Sequence, residues 1–232
     1  MNKGMGARPM RKISEMQDSA LSVGGFVPFT TVDYPGHLAA VVFCQGCTWR
    51  CRYCHNPHLQ PFCKGQWSWD DILSLLGERR NFLEAVVFSG GEPTAQAALP
   101  AAIRAVRDLG YKTGIHTAGI FPERLADVLP LVDWVGLDVK APFDERYDRI
   151  TGKADSFEAP AESLRLLLAS GVSYKLRTTV HPGLHSPSDL EAISQTLSSL
   201  HSLPTTIQPF RPAGCTDCEL LESAPAHTQR TV

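Results

Sequence analysis

Four cysteines, Cys44, Cys47, Cys51 and Cys54, fall within eleven residues of the chain. Thiolates are the preferred ligands of iron-sulfur clusters, and the spacing Cys47-x3-Cys51-x2-Cys54 supplies three of them from one loop. Three ligands on a four-iron cluster leave one iron free to bind something else. The same residues also read as two CxxC pairs, Cys44/Cys47 and Cys51/Cys54, the pattern of a four-thiolate zinc site. A second constellation is Gly90-Gly91-Glu92-Pro93. Glycines let backbone N–H groups approach a ligand closely, and a carboxylate beside them accepts bonds from an ammonium group, so this run suits a ligand with an amino-acid end. A strand-to-helix turn with a proline at the helix start is its purely structural reading.

Positioning these groups is the task of alternating short apolar runs and longer stretches of helical period. Strands are predicted over 38–44, 84–89, 111–116, 134–139, 174–180 and 205–209. Helices are predicted from Ser68 to Arg80, 94–109, 122–129, 161–169 and 188–200. Ser68-Trp69-Asp70-Asp71 has the form of an N-cap, and Gly110 and Gly171 are stops. Six such repeats imply parallel strands with right-handed crossovers, and an α/β fold: a partial (β/α)6 barrel. In such barrels the C-terminal strand ends carry the site, and here each strand ends in a polar or glycine-rich cluster. Besides the cysteine loop and the glycine pair these are His116-Thr117, Asp138-Val139-Lys140, His181-Pro182-Gly183 and Gln208-Pro209-Phe210-Arg211.

At 232 residues and a formal net charge of −2, the chain is long enough for one full core and lacks the basic excess that phosphate backbones require. Nucleic acid is therefore excluded as a first partner. No apolar run is long enough for a signal peptide or a membrane span, and seven cysteines, an odd and clustered set, favour metal over disulfides. A cytoplasmic protein is expected, with no membrane association. Residues 1–22 are set aside as a disordered N-terminal segment, 23–214 as the barrel and 215–232 as a tail.

The cysteine loop with Tyr53 directly before the last cysteine, followed after the next strand by Gly90-Gly91-Glu92-Pro93, resembles the radical S-adenosylmethionine superfamily. Within it, Thr31-Val32-Asp33-Tyr34-Pro35-Gly36, Tyr53-Cys54-His55-Asn56-Pro57 and Gln208-Pro209-Phe210-Arg211-Pro212 resemble the activating proteins of anaerobic ribonucleoside-triphosphate reductase. The likeness runs from about Gly24 to Gly214. It implies a 4Fe-4S cluster on Cys47, Cys51 and Cys54, with S-adenosylmethionine chelating the fourth iron. It implies Gly90, Gly91 and Glu92 near the amino group of S-adenosylmethionine, and Tyr53, His55 and Asn56 around adenine. Thr117, Asp138 and Lys140 would reach ribose or carboxylate. The activity so implied is reductive cleavage of S-adenosylmethionine to a 5′-deoxyadenosyl radical that places a glycyl radical on the reductase, with a small electron-donor protein as a further partner. The alternatives are an activase of the pyruvate formate-lyase type, in which a histidine tends to stand where Arg211 is, and a radical enzyme acting on a small molecule. A non-catalytic zinc module is a further alternative from another class.

Several residues stand outside this pattern. Cys44 is expected to be a buried thiol and Cys63 inert, while Cys215-Thr216-Asp217-Cys218 has the spacing of a dithiol. His181 and Arg211 are expected on the rim where a partner docks, and His58, His185, His201 and His227 on the surface.

Overall fold

The computed structural model describes residues 20–200 and 205–224. A single sheet of seven strands runs in sequence order, β1 (Val23–Thr30), β2 (Ala39–Cys44), β3 (Ala85–Gly90), β4 (Lys112–Thr117), β5 (Trp134–Asp138), β6 (Ser173–Val180) and β7 (Thr206–Pro209). From β2 to β7 every neighbour is parallel, and β1 pairs with β2 antiparallel. The helices are α1 (Trp69–Glu78), α2 (Leu99–Asp108), α3 (Pro122–Val128), α4 (Arg146–Thr151), α5 (Glu158–Ser170), α6 (Pro187–Leu200) and α7 (Cys218–Glu222).

The six expected strands are β2 to β7, each within a residue of its predicted bounds. Strand β1 is an addition that the sequence conceals, because Gly24, Gly25 and Pro28 break its apolar run. An edge strand tolerates such residues, and the register shifts at Val23/Gly25 and at Val27/Thr30 are where the glycines and proline are absorbed. At Gly24 a Cβ would lie 2.3 Å from Leu59 and 2.4 Å from the Gln45 carboxamide, so a larger residue would displace both side chains. Helix α4 lies between the predicted strand 134–139 and the predicted helix 161–169, where no element is expected. Helix α2 begins five residues late, since Pro93–Ala95 forms a separate tight turn.

Strands β2 and β3 are buried on both faces, which is why they read as continuous apolar runs. Ala40, Val42 and Cys44 face outward with Val86 and Phe88, against Ile72 and Leu76 of α1 and Ile103 and Val106 of α2. Ala39, Val41, Ala85 and Val87 face inward, where Tyr34 and Trp134 fill the barrel floor. Their rings lie 5.6 Å apart. Small residues on the inner face make that possible, for a Cβ on Gly114 would stand 3.1 Å from Tyr34 and one on Gly136 2.8 Å from Trp134. The floor closes the barrel below and leaves the strands' C-terminal ends as the open side.

Residues 215–224 pack against the barrel, while 225–232, the rest of the predicted tail, lie outside the described residues. Asp217 caps α7 by accepting from the Leu220 N–H, and Cys215, Leu220 and Ala224 are buried against Trp49, Tyr53 and Phe210. Three apolar side chains and a capping aspartate outweigh the Pro- and Thr-rich look of the region. Leu21 and Ser22, read as the end of the N-terminal segment, are also held: Leu21 is buried and the Ser22 N–H donates to Gln96 at 2.7 Å. Residues 1–19 lie outside the described residues.

Candidate functional site

The strand ends converge on one cavity, lined by the cysteine loop on one side and by β3 to β6 on the other. Cys47, Cys51 and Cys54 all line it, as do Tyr53, His55, Asn56, Gly90, Gly91, Thr117, Asp138 and Lys140. Of the expected site residues only Glu92 does not.

The loop after β2 is held from several directions. The N–H groups of Gly46 and Cys47 donate to the Leu59 and Gln60 carbonyls, and those of Arg50 and Arg52 donate to the Thr151 and Ile150 carbonyls at the end of α4. Inside the loop the Cys54 N–H donates to the Cys51 carbonyl at 3.1 Å. The end of β3 lies directly against it, with the Gly91 N–H donating to the Cys44 carbonyl and the Glu92 N–H to the Gly46 carbonyl, both at 2.9 Å. This contact accounts for the glycine pair. Gly90 has φ +115°, with a Cβ 2.5 Å from the Cys44 backbone, and a Cβ on Gly91 would lie 2.4 Å from the Gly46 carbonyl oxygen. Close backbone packing therefore accounts for both glycines, which also line the cavity.

Glu92 departs from its expected role. It is 1% exposed, and its carboxylate accepts four hydrogen bonds from within the protein. They come from the Thr94 N–H (3.1 Å), the hydroxyls of Thr94 and Thr117 (2.6 Å each) and the Ala118 N–H (3.0 Å). Burial raises its pKa, with the hydroxyl and amide donors pulling the other way. Glu92 is not among the residues that line the cavity, and its bonds to Thr117 and Ala118 tie the exit of β3 to the exit of β4.

Across the cavity the inward phase of the strands brings charged groups together. Asp138 and Arg177 are register partners on β5 and β6, and the guanidinium binds the carboxylate through Nε at 2.9 Å and Nη2 at 2.8 Å. Lys140 Nζ lies 3.9 Å from Asp138 and 5.3 Å from the centre of the Tyr53 ring. Although burial works against its charge, the facing Tyr53, Cys51 and Asp138 hold the Lys140 pKa well above its usual value. Burial likewise works against ionised Asp138, yet Arg177 and Lys140 keep its pKa below the usual range. His116 is pushed down to about 4 by burial and by Arg177, and is neutral at pH 7. His116 is expected at a strand end that carries the site, though with no role given to it, whereas Arg177, inside the predicted strand 174–180, is not expected there. The signal was available, since both occupy the inward phase shared with Asp138 and Thr179.

Asp138 thus stands between two cations, Arg177 and Lys140. Asp138→Asn is expected to destabilise the unloaded chain by about 1–3 kcal/mol in urea unfolding, the partly exposed carboxylate placing it below the loss for a fully buried pair. Because the folded pKa is depressed, the contribution is present above the unfolded value and lost as pH falls. The gap between variant and wild type should therefore close below about pH 4. A gap that persists there would remove the ion pair as its cause.

The chemistry of the donor set fits an iron-sulfur cluster. Burial pushes the Cys47 thiol up to about 12 and also raises Cys51, so these sulfurs become thiolates only when a bound cation compensates them. Tyr53 Oη and His55 Nε2, on two cavity-lining residues, are buried without a partner among the described residues. A zinc site on four thiols does not fit: Cys44 is fully buried in the layer between sheet and helices and does not line the cavity. Among the described residues no three His, Cys, Asp or Glu side chains gather around a single-ion position.

Cys63 and His58 are exposed, and Cys44 is the buried thiol expected. Cys215 is buried with its thiol donating to the Arg52 carbonyl at 3.4 Å, while Cys218 is exposed, so the pair is split between two environments. Arg211 is exposed, but His181 is 0% exposed, bonded through Nε2 to the Leu220 carbonyl at 2.9 Å, and cannot stand on a docking rim. His185 is buried too, stacked on Tyr53 with Nε2 2.8 Å from the Lys140 carbonyl, because the turn after β6 folds inward. His201 and His227 lie outside the described residues. No helix among the described residues is long and apolar enough to cross a membrane.

Residues 41–196 match the family model of the Radical SAM superfamily. A protein of Methanocaldococcus jannaschii, named as a glycyl-radical enzyme activating enzyme, is 31% identical over 203 residues, covering 85% of this chain and 83% of the relative. The pyruvate formate-lyase-activating enzyme of Clostridium pasteurianum is 33% identical over 163 residues, 66% of each chain. Among solved structures, QueE from Escherichia coli aligns with a TM-score of 0.55 at 16% identity, covering 92% of this chain and 96% of the other. Streptococcus suis SuiB bound to S-adenosylmethionine aligns with a TM-score of 0.57 at 15% identity, covering 75% and 40%. These structural likenesses establish the fold.

Proposed function

Because the chain belongs to the radical S-adenosylmethionine superfamily, we propose that it is an activating enzyme for a glycyl radical enzyme of the pyruvate formate-lyase type. The observation that carries this reading is the convergence of Cys47, Cys51 and Cys54 with the glycine pair and the Asp138/Lys140/Arg177 group on one cavity, in a chain similar along most of its length to a protein named as a glycyl-radical enzyme activating enzyme. The motifs taken alone favoured the ribonucleotide reductase activase; the named relatives favour pyruvate formate-lyase.

Membership of the superfamily implies a 4Fe-4S cluster and S-adenosylmethionine, and when bound together they supply one-electron cleavage of the sulfonium to methionine and a 5′-deoxyadenosyl radical. The chain's residues do the rest. In this reading Cys47, Cys51 and Cys54 hold three irons. Gly90 and Gly91 keep the β3 exit thin enough for the backbone to approach the amino-acid end of the ligand. Lys140 and Arg177 offer cations to a carboxylate, and Asp138 holds both in place and can accept from a ribose hydroxyl. Tyr53, His55 and Asn56 form the adenine side, where the unpartnered Tyr53 Oη and His55 Nε2 have unused hydrogen-bonding capacity. The buried floor of Tyr34, Trp134 and Val87 excludes water below the reacting centre. The barrel has two edge strands, β1 and β7, and no added domain among the described residues covers its open side, which suits a substrate that brings its own loop.

The test is anaerobic incubation of the reconstituted chain with S-adenosylmethionine, a reductant and each candidate partner, read by electron paramagnetic resonance. A glycyl signal with pyruvate formate-lyase, and none with anaerobic ribonucleotide reductase, is the expected result. The opposite pattern restores the reductase reading. No glycyl signal, with a metabolite consumed in step with deoxyadenosine, replaces both by a small-molecule enzyme.

A further inference from the structure

Arg52 sits between the second and third cavity-lining cysteines, yet it does not line the cavity. Its guanidinium reaches a segment 165 residues further along the chain. Nε donates to Asp217 Oδ2 at 2.6 Å, and Nη2 donates to Asp217 Oδ1 at 3.1 Å and to Glu219 Oε2 at 2.7 Å. The backbone of the same residue is gripped as well: its N–H donates to the Ile150 carbonyl at 2.9 Å, and its carbonyl accepts from the buried Cys215 thiol. Next to this, Gly214 runs so close to the loop that a Cβ would lie 2.0 Å from the His55 carbonyl oxygen. Leu220 anchors the far end, buried in the same apolar cluster as Trp49 and Tyr147 and bonded through its carbonyl to His181.

The geometry points to Arg52 as a positioning residue, through which residues 214–220 clamp the outer side of the cysteine loop and fix the separation of Cys51 from Cys54. Within the loop itself a single backbone bond spans these two cysteines, so its shape must be imposed from outside. An exposed ion pair alone would be worth little. This one is bidentate, shares its aspartate with the cap of α7, and is backed by buried apolar anchors, which makes it a fixed strut. Ligands held by such outer contacts release metal slowly because they need no reorganisation to rebind.

The experiment uses the full chain, reconstituted anaerobically with iron and sulfide, as wild type, Arg52→Ala, Arg52→Lys, Asp217→Asn and the Arg52→Ala/Asp217→Asn double variant. Two quantities are read: the rate of iron release to a ferrous chelator, and the melting temperature of the unloaded chain. Release is expected to be about tenfold faster in Arg52→Ala and in Asp217→Asn. The double variant should be no faster than Arg52→Ala, since both changes remove one contact. Arg52→Lys should recover part of the loss, a single ammonium replacing a two-pronged donor. The melting temperature of the unloaded chain should move by no more than a few degrees. Asp217→Asn retains the oxygen that caps α7, so it decides the matter even where Arg52→Ala does not fold. Release at the wild-type rate in Asp217→Asn, or rates that multiply in the double variant, would overturn the clamp. The inference rests on Cys47, Cys51 and Cys54 being the ligands, which fails separately: alanine at those positions would then leave the iron content unchanged.

Discussion

Alanine at Cys47, Cys51 or Cys54 is expected to reduce both bound iron-sulfur cluster and deoxyadenosine formation to background, whereas alanine at Cys44 or Cys63 leaves both largely intact. The difference follows from where the five thiols lie. Three line one cavity on one loop, and a cluster held at three corners loses its site when any corner is removed. Cys44 is fully buried among Val42, Phe88 and Ile72, so its truncation is a packing change, costing on the order of 1 kcal/mol. Cys63 is exposed and its loss should be silent. Iron and sulfide analysis of the five variants, with chromatography of deoxyadenosine, checks this directly. Cluster retained by Cys47→Ala but lost from Cys44→Ala would reverse the ligand assignment.

Strands β2 to β7 were legible in the sequence because each has a contiguous β-branched or apolar core flanked by glycine, proline or a cap, and because both faces of β2 and β3 are buried. The cysteine loop was legible because its pattern is local: three cysteines within eight residues need no knowledge of the fold. What stayed hidden depends on distant contacts. Strand β1 exists because the exposed edge of β2 can accept an irregular partner, which no local pattern in residues 23–30 announces. Arg177 and His116 become site residues only when β4, β5 and β6 lie in register, so that period-two positions on separate strands meet. His181 and His185 follow polar strand ends, yet tertiary contacts with Leu220 and Lys140 draw them inside. The packed role of Cys215 is of the same kind, since the carbonyl its thiol binds is that of Arg52, 163 residues earlier.

Glu92 is where the sequence and the structure lead to different experiments. A carboxylate that grips the amino group of S-adenosylmethionine would, when changed, weaken binding roughly ten- to a hundredfold and leave the unloaded chain as stable as before. A carboxylate that accepts from Thr94, Thr117 and Ala118 behind the cavity does the reverse. Glu92→Ala leaves two backbone N–H groups and two hydroxyls buried beside a void, and is expected to destabilise the unloaded chain by about 3–5 kcal/mol, enough to threaten folding. Glu92→Gln keeps one acceptor oxygen but turns an NH2 group toward a donor, so an intermediate loss is expected. The pH dependence separates the two roles further. Burial raises the Glu92 pKa in the folded chain, so its contribution to stability is full below the unfolded value and is lost as pH rises through the folded one. Glutamine, which cannot ionise, lacks that loss. The stability gap between wild type and Glu92→Gln, measured by urea unfolding from about pH 5 to about pH 8, should therefore narrow as pH rises. A Glu92→Ala chain that unfolds like wild type and differs only in its affinity for S-adenosylmethionine would return Glu92 to the ligand and leave the junction of β3 and β4 without its tie.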